Sequence, residues 1–359
     1  MIVAYIKLSD YCNVGCDHCY LPEKDRLDKR IISNEDLSNA SKQIVEMAKM
    51  NATDKVMLML HGGEPLALSP ALVEDKMQIV KNTLKENGLF YQEGVQTSLI
   101  NFDKTWVDIA KNNWDSHIGF SVDFSTRTIG GSNIKYLKLL EKRLETLRKH
   151  DIHYGAVFVP SVNELGRTKE IVDWFVKEGV DYITIDRYTS FGGYDPLRPK
   201  HGQHSEFLSD LTDSIIDEIK TNGAAPKFGA VTAAINGVHH GVPSDRWGTT
   251  CQEKFIVIGV DGKTNNCPDK FAHEKSYSDS DTFVLSEERM NSIFDYKINH
   301  KNLYCDSCEY SEWCKTGCPI VPNNPLEEGD CAGYKRYLTY LKTLMKDKET
   351  KRLLLEYAK

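Results

Sequence analysis

The sequence of 359 residues lacks the features that would place it in several common protein classes. It contains no apolar run of the roughly 18 residues that a membrane-spanning helix needs. No basic leader followed by a long apolar segment is present near the N-terminus, as a secretory signal would require. The charge shows no basic excess, because the formal net charge is −7, whereas nucleic-acid binding needs a face of clustered Lys and Arg. These absences predict a cytoplasmic protein with no membrane and no nucleic-acid partner.

Cysteine is absent from residues 20–250, and the ten cysteines of the chain are clustered on either side of that gap. Three lie within residues 12–19 and seven within residues 251–331. A chain of this length without an export signal can form its own hydrophobic core and does not depend on disulfides. The clustering therefore predicts metal binding rather than scattered structural thiols.

The first two hundred residues alternate between strand and helix patterns. Asn34–Met50 and Asn133–Lys149 have helical periodicity, and Ser33 is a predicted N-cap. Six strand–helix repeats predict an α/β fold, specifically a partial (β/α)6 TIM-like barrel with a parallel sheet. From about Ala224 the alternation stops, and helical periodicity returns only near residue 334. The adjacent pair His239 and His240 is expected to be surface or groove residues and not a metal-binding pair, because adjacent side chains on a strand point in opposite directions.

The first cysteine cluster, residues 12–20, reads CNVGCDHCY. Three thiolates can bind three irons of a four-iron cluster and leave the fourth iron open to a small molecule. A zinc site with His18 as the fourth ligand is the alternative, although this is not a zinc-ribbon spacing.

This loop resembles the signature of the radical SAM superfamily. The resemblance implies that Cys12, Cys16 and Cys19 hold a [4Fe–4S] cluster, that S-adenosylmethionine (SAM) binds the open iron, and that its reductive cleavage yields a 5′-deoxyadenosyl radical. It also implies that Tyr20 contacts the adenine, and that an external donor such as flavodoxin or ferredoxin supplies the electron.

A second motif, His-Gly-Gly-Glu-Pro at residues 61–65, resembles the GGE motif of the same superfamily. Gly62 and Gly63 would let the backbone approach a ligand, and the Glu64 carboxylate would accept hydrogen bonds from the methionine ammonium. The alternative is a tight turn with a solvated Glu. The resemblance also implies further SAM- or substrate-facing residues, with an Arg that could pair with the methionine carboxylate: Gln96, Ser98, Ser121, Asp123 and Arg127.

The C-terminal cysteines have spacings that resemble the SPASM domain of some radical SAM enzymes. The resemblance implies two auxiliary [4Fe–4S] clusters and three clusters in all. The first would be held by Cys251, Cys267 and Cys318. The second would be held by Cys305, Cys308, Cys314 and Cys331. Residues 252–266 contain no cysteine, so the first auxiliary cluster is expected to keep an open iron or to use another ligand.

The predicted organisation has four parts: residues 1–200 form the barrel, 201–248 a bridging helix and linker, 249–345 the SPASM domain, and 346–359 a helical tail. A pair of zinc sites is the alternative for the second cysteine cluster, and metal analysis would decide, because three [4Fe–4S] clusters need roughly twelve irons per chain.

Enzymes with such a domain usually modify a side chain of a peptide or protein oxidatively. The segment Cys19–Pro22, followed by Arg26, resembles maturases that crosslink ribosomally made peptides (RiPP maturation), and this is the favoured reading. A sulfatase maturase that forms formylglycine is one alternative, and a small-molecule radical SAM dehydrogenase is another. A non-catalytic zinc-rich interaction protein is the third.

Sulfatase maturases place an Asp directly after the cysteine equivalent to Cys267, and here Pro268 intervenes before Asp269. Asp269 is a candidate general base, or it caps a turn. Arg187, Tyr188 and the pair Gly192–Gly193 are expected to form the substrate opening. Because the chain starts at the first predicted strand, recognition of a leader peptide is expected to need a separate protein or a different surface.

Overall fold

A computed structural model describes residues 1–188, 195–244, 247, 254–265, 305–314 and 326–359. Within these ranges no helix is long and apolar enough to cross a membrane. The described residues divide into two compact units. The first comprises residues 1–122, 126–154 and 254–265, and the second comprises residues 123–125, 155–188, 195–244, 247, 305–314 and 326–359.

The strands are numbered in chain order over the described residues. They are β1 Ile2–Lys7, β2 Gly15–Cys16, β3 Lys55–His61, β4 Phe90–Thr97, β5 His117–Val122, β6 Arg127–Thr128, β7 His153–Phe158, β8 Tyr182–Ile185, β9 Lys227–Phe228, β10 Phe255–Ile258, β11 Thr264–Asn265, β12 Leu326–Glu327 and β13 Asp330–Cys331.

The helices are numbered in the same way. They are α1 Glu23–Arg26, α2 Asn34–Met50, α3 Pro70–Glu86, α4 Val107–Asn113, α5 Asn133–Lys149, α6 Thr168–Glu178, α7 His201–Asn222, α8 Gly229–His240, α9 Ser311–Cys314, α10 Lys335–Leu344 and α11 Lys348–Tyr357.

The main sheet of the first unit has the strand order β11-β10-β1-β3-β4-β5. All neighbouring pairs from β10 to β5 are parallel, and β11 is antiparallel. Strands β1 and β3 alternate between fully buried and half-buried side chains, as strands with two different faces do. Helices α2 and α3 pack against each other, and α2 also contacts β1 and β10. This confirms the predicted α/β class with a mostly parallel sheet.

Local sequence explains where the helices of the first unit begin. The Ser33 hydroxyl accepts a hydrogen bond from Asp36 N, so it caps α2 as predicted. Ser132 caps α5 in the same way. The buried stripe of α5, including Tyr136 and Leu140, has the spacing of one helix face.

The second unit has a parallel sheet of order β7-β8-β9 and a core of aromatic rings. Phe158 contacts Phe175 and Phe207 at centroid distances of 6.4 and 6.2 Å. Helix α10 packs on α7 and α8, while the β12–β13 hairpin packs on α7. The guanidinium of Arg198 donates two hydrogen bonds to the Glu327 carboxylate, at 2.9 and 2.6 Å, and fixes that hairpin near the start of α7.

Helix α8 was not predicted. His239 and His240 are the last two residues of this helix and do not lie on a strand; both are exposed, as expected, and their ring centroids lie 4.4 Å apart. The helix is apolar on most sides, so it lacks the polar stripe that reveals a helix in a sequence.

Candidate functional site: two cysteine sites

The first cysteine loop, residues 12–20, is held by backbone hydrogen bonds on several sides. Cys12 N donates to Arg26 O at 2.9 Å, and Cys19 N donates to Cys16 O at 3.2 Å. Strand β2 pairs with β6, so that Cys16 lies opposite Arg127. The loop thus places three partly buried cysteines close together, and none of them forms a disulfide.

The two glycines of the 61–65 motif lie against the chain segment that leads into this loop. Gly63 N donates to Ser9 O, and Glu64 N donates to Tyr11 O at 2.8 Å. A Cβ on Gly63 would lie 2.2 Å from Tyr11 O, and a Cβ on Gly62 would lie 2.7 Å from Ser9 O. The close approach that requires these glycines is therefore made by the protein's own backbone just before Cys12. Their predicted contact with SAM remains a prediction.

The Glu64 carboxylate is buried and accepts hydrogen bonds on both oxygens. Oε1 accepts from Leu66 N at 3.0 Å and from Thr97 Oγ1 at 2.5 Å. Oε2 accepts from Ser98 N at 2.8 Å and from the Ser98 hydroxyl. These four bonds match the acceptor capacity of a carboxylate, so Glu64 joins the end of β3 to the end of β4.

The pKa of the Cys12 thiol reflects the burial and the charges of the loop. Burial raises the pKa of Cys12 to about 11, and the charges of Glu64 and Cys19 act in the same direction while Arg127 opposes them. These groups therefore lie within electrostatic reach of one another. A bound cationic iron core would stabilise the thiolate that this environment disfavours, and the residues present fit such a group.

The sequence analysis gave no role to Lys7, Asp10 or His61, which lie beside the loop and the predicted site residue Tyr20. The Lys7 ammonium is buried, pairs with Asp10 at 2.7 Å and lies 5.3 Å from the centroid of the Tyr20 ring. Tyr20 OH donates to Gly62 O at 2.9 Å. Burial, together with the charge of Lys7, lowers the pKa of His61 to about 4, so His61 is neutral at physiological pH. The sequence did offer a signal for Lys7, because it is a charged residue at the end of the largely apolar strand β1.

The remaining predicted SAM-facing residues fall into two groups. Gln96 Nε2 donates to Ser121 Oγ at 2.9 Å, and both belong to the first unit. Asp123 belongs to the second unit, where its buried carboxylate accepts from Val159 N at 3.0 Å. This hydrogen bond from the backbone uses part of the acceptor capacity of the Asp123 carboxylate.

The second cysteine site, in the second unit, is a cavity of about 290 Å³. Its lining includes Cys305, Cys308, Cys314 and Cys331. These are the four cysteines predicted to share one cluster. Three local elements bring these cysteines together. They are a turn in which Cys308 N donates to Cys305 O, helix α9 and the β12–β13 hairpin.

The chemistry of this cavity fits a bound metal cluster. Burial and the neighbouring thiols of Cys331, Cys305 and Cys308 raise the pKa of Cys314 to about 12. Burial also raises the pKa of Cys331. A Cβ on Gly333 would lie 2.6 Å from the Cys314 sulfur, so the glycine leaves room at the thiols.

A single zinc ion is a poorer fit. In the described ranges no three Cys, His, Asp or Glu side chains are grouped as ligands of one metal ion. Four thiolates on one zinc lie about 4 Å apart, since each Zn–S bond is about 2.3 Å long. Thiolates that bind separate irons of a cluster are spaced more widely. In the first loop, His18 Nδ1 also forms a hydrogen bond with Thr126 Oγ1, which argues against this nitrogen as a zinc ligand.

Helix α8 gives a test of the second site. A Cβ on Gly237 would lie 2.4 Å from the ring of Trp313, which directly precedes Cys314. We expect Gly237→Ala to displace α9, to lower stability by about 1 to 3 kcal/mol and to reduce the iron bound by the chain. Thermal unfolding and iron analysis measure both effects. The double variant Gly237→Ala/Trp313→Leu should recover both stability and iron content. A Gly237→Ala protein with the stability and iron content of the parent would contradict this packing.

Several predicted residues lie outside the described part of the chain. They are Cys251, Cys267, Cys318, Asp269, Gly192 and Gly193. Their assignments remain predictions.

The fold is shared with solved structures. Native anSMEcpe with bound AdoMet and Cp18Cys peptide superimposes with a TM-score of 0.73 at 16% identity, covering 99% of this chain and 98% of that one. The chain has the fold of anSMEcpe. Streptococcus suis SuiB bound to precursor peptide SuiA gives a TM-score of 0.61 at 17% identity, with 89% of this chain and 72% of that chain covered. This likeness confirms the predicted fold class.

Sequence relatives are distant. A serine-type anaerobic sulfatase-maturating enzyme of Bacteroides thetaiotaomicron is 21% identical over 93% of this chain and 87% of its own length. An uncharacterized protein of Synechocystis is 26% identical over 47% of this chain, a match that spans 44% of that protein. No protein-family model matches the sequence.

Proposed function

We propose that this chain is a radical SAM enzyme that oxidatively modifies a side chain of a peptide or protein. One observation carries the proposal: the described cysteines separate into a loop of three, which would leave one iron of a four-iron cluster open, and a cavity lined by four. The first arrangement is suited to an iron that binds a substrate, and the second to a closed cluster. The fold shared with anSMEcpe supports this reading.

A four-iron cluster on Cys12, Cys16 and Cys19 would supply the electron that cleaves SAM. The protein's own residues would orient the bound SAM. Tyr20 OH donates a hydrogen bond to Gly62 O, and this fixed ring supports the proposed contact with the adenine. Arg127 lies opposite Cys16 on β6 and lowers the pKa of the Cys12 thiol, which supports its proposed pairing with the methionine carboxylate. The Glu64 carboxylate would have to exchange one of its present donors for the methionine ammonium.

The proposal is tested by formation of 5′-deoxyadenosine from SAM under dithionite. We expect the anaerobically reconstituted chain to produce it, and Cys16→Ala to produce none, because removal of one thiolate leaves two ligands for the cluster. Asn13→Ala is the matched control in the same loop, since the Asn13 side chain is exposed and its amide exchanges hydrogen bonds with that of Asn101. It should retain both iron and activity.

Iron analysis separates the two ways in which the assay could fail. A fully iron-loaded parent protein that forms no 5′-deoxyadenosine would contradict the enzyme assignment. A reconstituted chain that binds zinc and no iron would contradict the cofactor assignment.

Two reactions are candidates for this chain. Crosslinking of a ribosomally made peptide is our first choice, because residues 252–266 lack the extra cysteine of sulfatase maturases and Pro268 separates Cys267 from Asp269. Formylglycine formation is the second candidate, favoured by the full-length structural match to anSMEcpe.

The products of these two reactions differ in reactivity. Formylglycine is an aldehyde, so a hydrazide probe labels the product peptide. A crosslinked peptide loses hydrogen without gaining that reactivity, and tandem mass spectrometry shows the two joined residues. Hydrazide labelling of a sulfatase-derived peptide would overturn our first choice.

A further inference from the structure

Strand β8 ends at Ile185, and Arg187 lies two residues further along the chain, directly after Asp186. Its side chain is partly buried, and two of its nitrogens, Nε and Nη1, are inaccessible to water. The guanidinium carbon lies 5.2 Å from the centroid of the Tyr334 ring, within the range of a cation–π contact. Arg187 therefore holds a largely desolvated positive charge against Tyr334.

Tyr334 connects this charge to the second cysteine site. Its backbone N donates to Cys331 O at 2.8 Å. The ring is buried and stacks on His204 at a centroid distance of 4.7 Å. This ring thus gives Arg187 a fixed position beside the cysteine cavity. The charge also lies within electrostatic reach of the Cys314 thiol, whose pKa it lowers against the opposing effects of burial and the other cysteines.

Three other charged side chains lie near the cavity. Arg198 is paired with Glu327 through two hydrogen bonds. Lys335 lines the cavity but is exposed, so water screens its ammonium. Asp330 is negative, accepts hydrogen bonds from the Ser205 hydroxyl and from Cys331 N, and raises the pKa of Cys331.

We propose that Arg187 is a positioning residue that sets the reduction potential of the cluster held by Cys305, Cys308, Cys314 and Cys331. The inference rests on the proposed function. One-electron reduction adds negative charge to the site without forming or breaking a bond. A buried cation stabilises the reduced form more than the oxidised form, so Arg187 raises the potential and favours acceptance of an electron.

The test is a redox titration followed by EPR, with dithionite as the reductant. All proteins carry Cys12→Ala, Cys16→Ala and Cys19→Ala in the full chain, so that only auxiliary clusters give a signal. Arg187→Gln should shift one of the two midpoint potentials to a lower value and leave the other unchanged, which gives an internal reference. Arg187→Lys should shift it less, because it keeps the charge. Lys335→Gln, which removes a solvated charge at the same cavity, is the matched control and should have a smaller effect.

The outcomes separate the two proposals. An iron content too low for two auxiliary clusters in the parent protein overturns the cofactor assignment. Two clusters with unchanged potentials in Arg187→Gln overturn the role of Arg187. If Arg187→Gln binds less iron, Tyr334→Leu carries the test, because it removes the ring that holds the guanidinium. This variant must lower the same potential, and an unchanged value overturns the proposal.

Discussion

Replacement of Gly63 by Ala is expected to remove the iron of the first cysteine loop. The new Cβ would lie 2.2 Å from Tyr11 O and 2.3 Å from Asp10 O. Both contacts are with backbone atoms, which cannot move aside as the end of a flexible side chain can. Because Tyr11 immediately precedes Cys12, the displaced segment carries a cluster ligand with it. Overpacking of this kind costs about 3 kcal/mol.

Iron content and the thermal unfolding midpoint of the reconstituted chain measure this effect. Gly94→Ala on β4 is the matched control, since its Cβ would meet only the terminal methyl of Met59, at 3.4 Å, and its sulfur. We expect the control to retain all its iron. A Gly63→Ala protein with the iron content of the parent would show that the segment before Cys12 tolerates movement.

Glu64→Gln is expected to lower the free energy of unfolding by about 2 to 3 kcal/mol, because hydrogen bonds to a charged group are strong and unpaired buried donors are costly. A Gln amide offers one oxygen where the carboxylate offers two. In either orientation its NH₂ group faces a backbone N–H, that of Leu66 or that of Ser98. Urea unfolding of the protein measures the loss.

A second variant separates this structural role from the predicted contact with SAM. Thr97→Val removes one donor to Glu64 and leaves the carboxylate in place, so it should cost about 1 kcal/mol and preserve SAM affinity. Equilibrium dialysis with labelled SAM supplies that affinity. If Glu64→Gln were as stable as the parent but failed to bind SAM, Glu64 would be a ligand and not a connection between two strands.

The sequence predicted those elements whose signals are local. Ser33 and the periodic stripe of α5 are readable without knowledge of the fold, and both are present. Helix α8 was missed because it is apolar on most sides, and strand β10 because a short buried apolar segment carries no periodicity.

The features of the candidate site also divide into those with a signal in the sequence and those that depend on distant contacts. The resemblance to the SPASM domain implied which thiols belong together in the second cavity. The sequence did not show that Gly63 accommodates the protein's own backbone or that four donors already surround Glu64, because these contacts join segments far apart in the chain. Arg187 was expected to line the substrate opening, and its contact with Tyr334 depends on such a distant pairing as well.

The pairing of β1 with β10 has a consequence for biosynthesis. Val3 lies opposite Phe255 in a parallel register. At a translation rate of about 5 to 20 residues per second, the first strand waits on the order of tens of seconds for one of its two neighbours to leave the ribosome. During that interval β1 is an apolar edge that can pair with other chains, so the nascent protein is most exposed to aggregation before its second cysteine cluster has been translated.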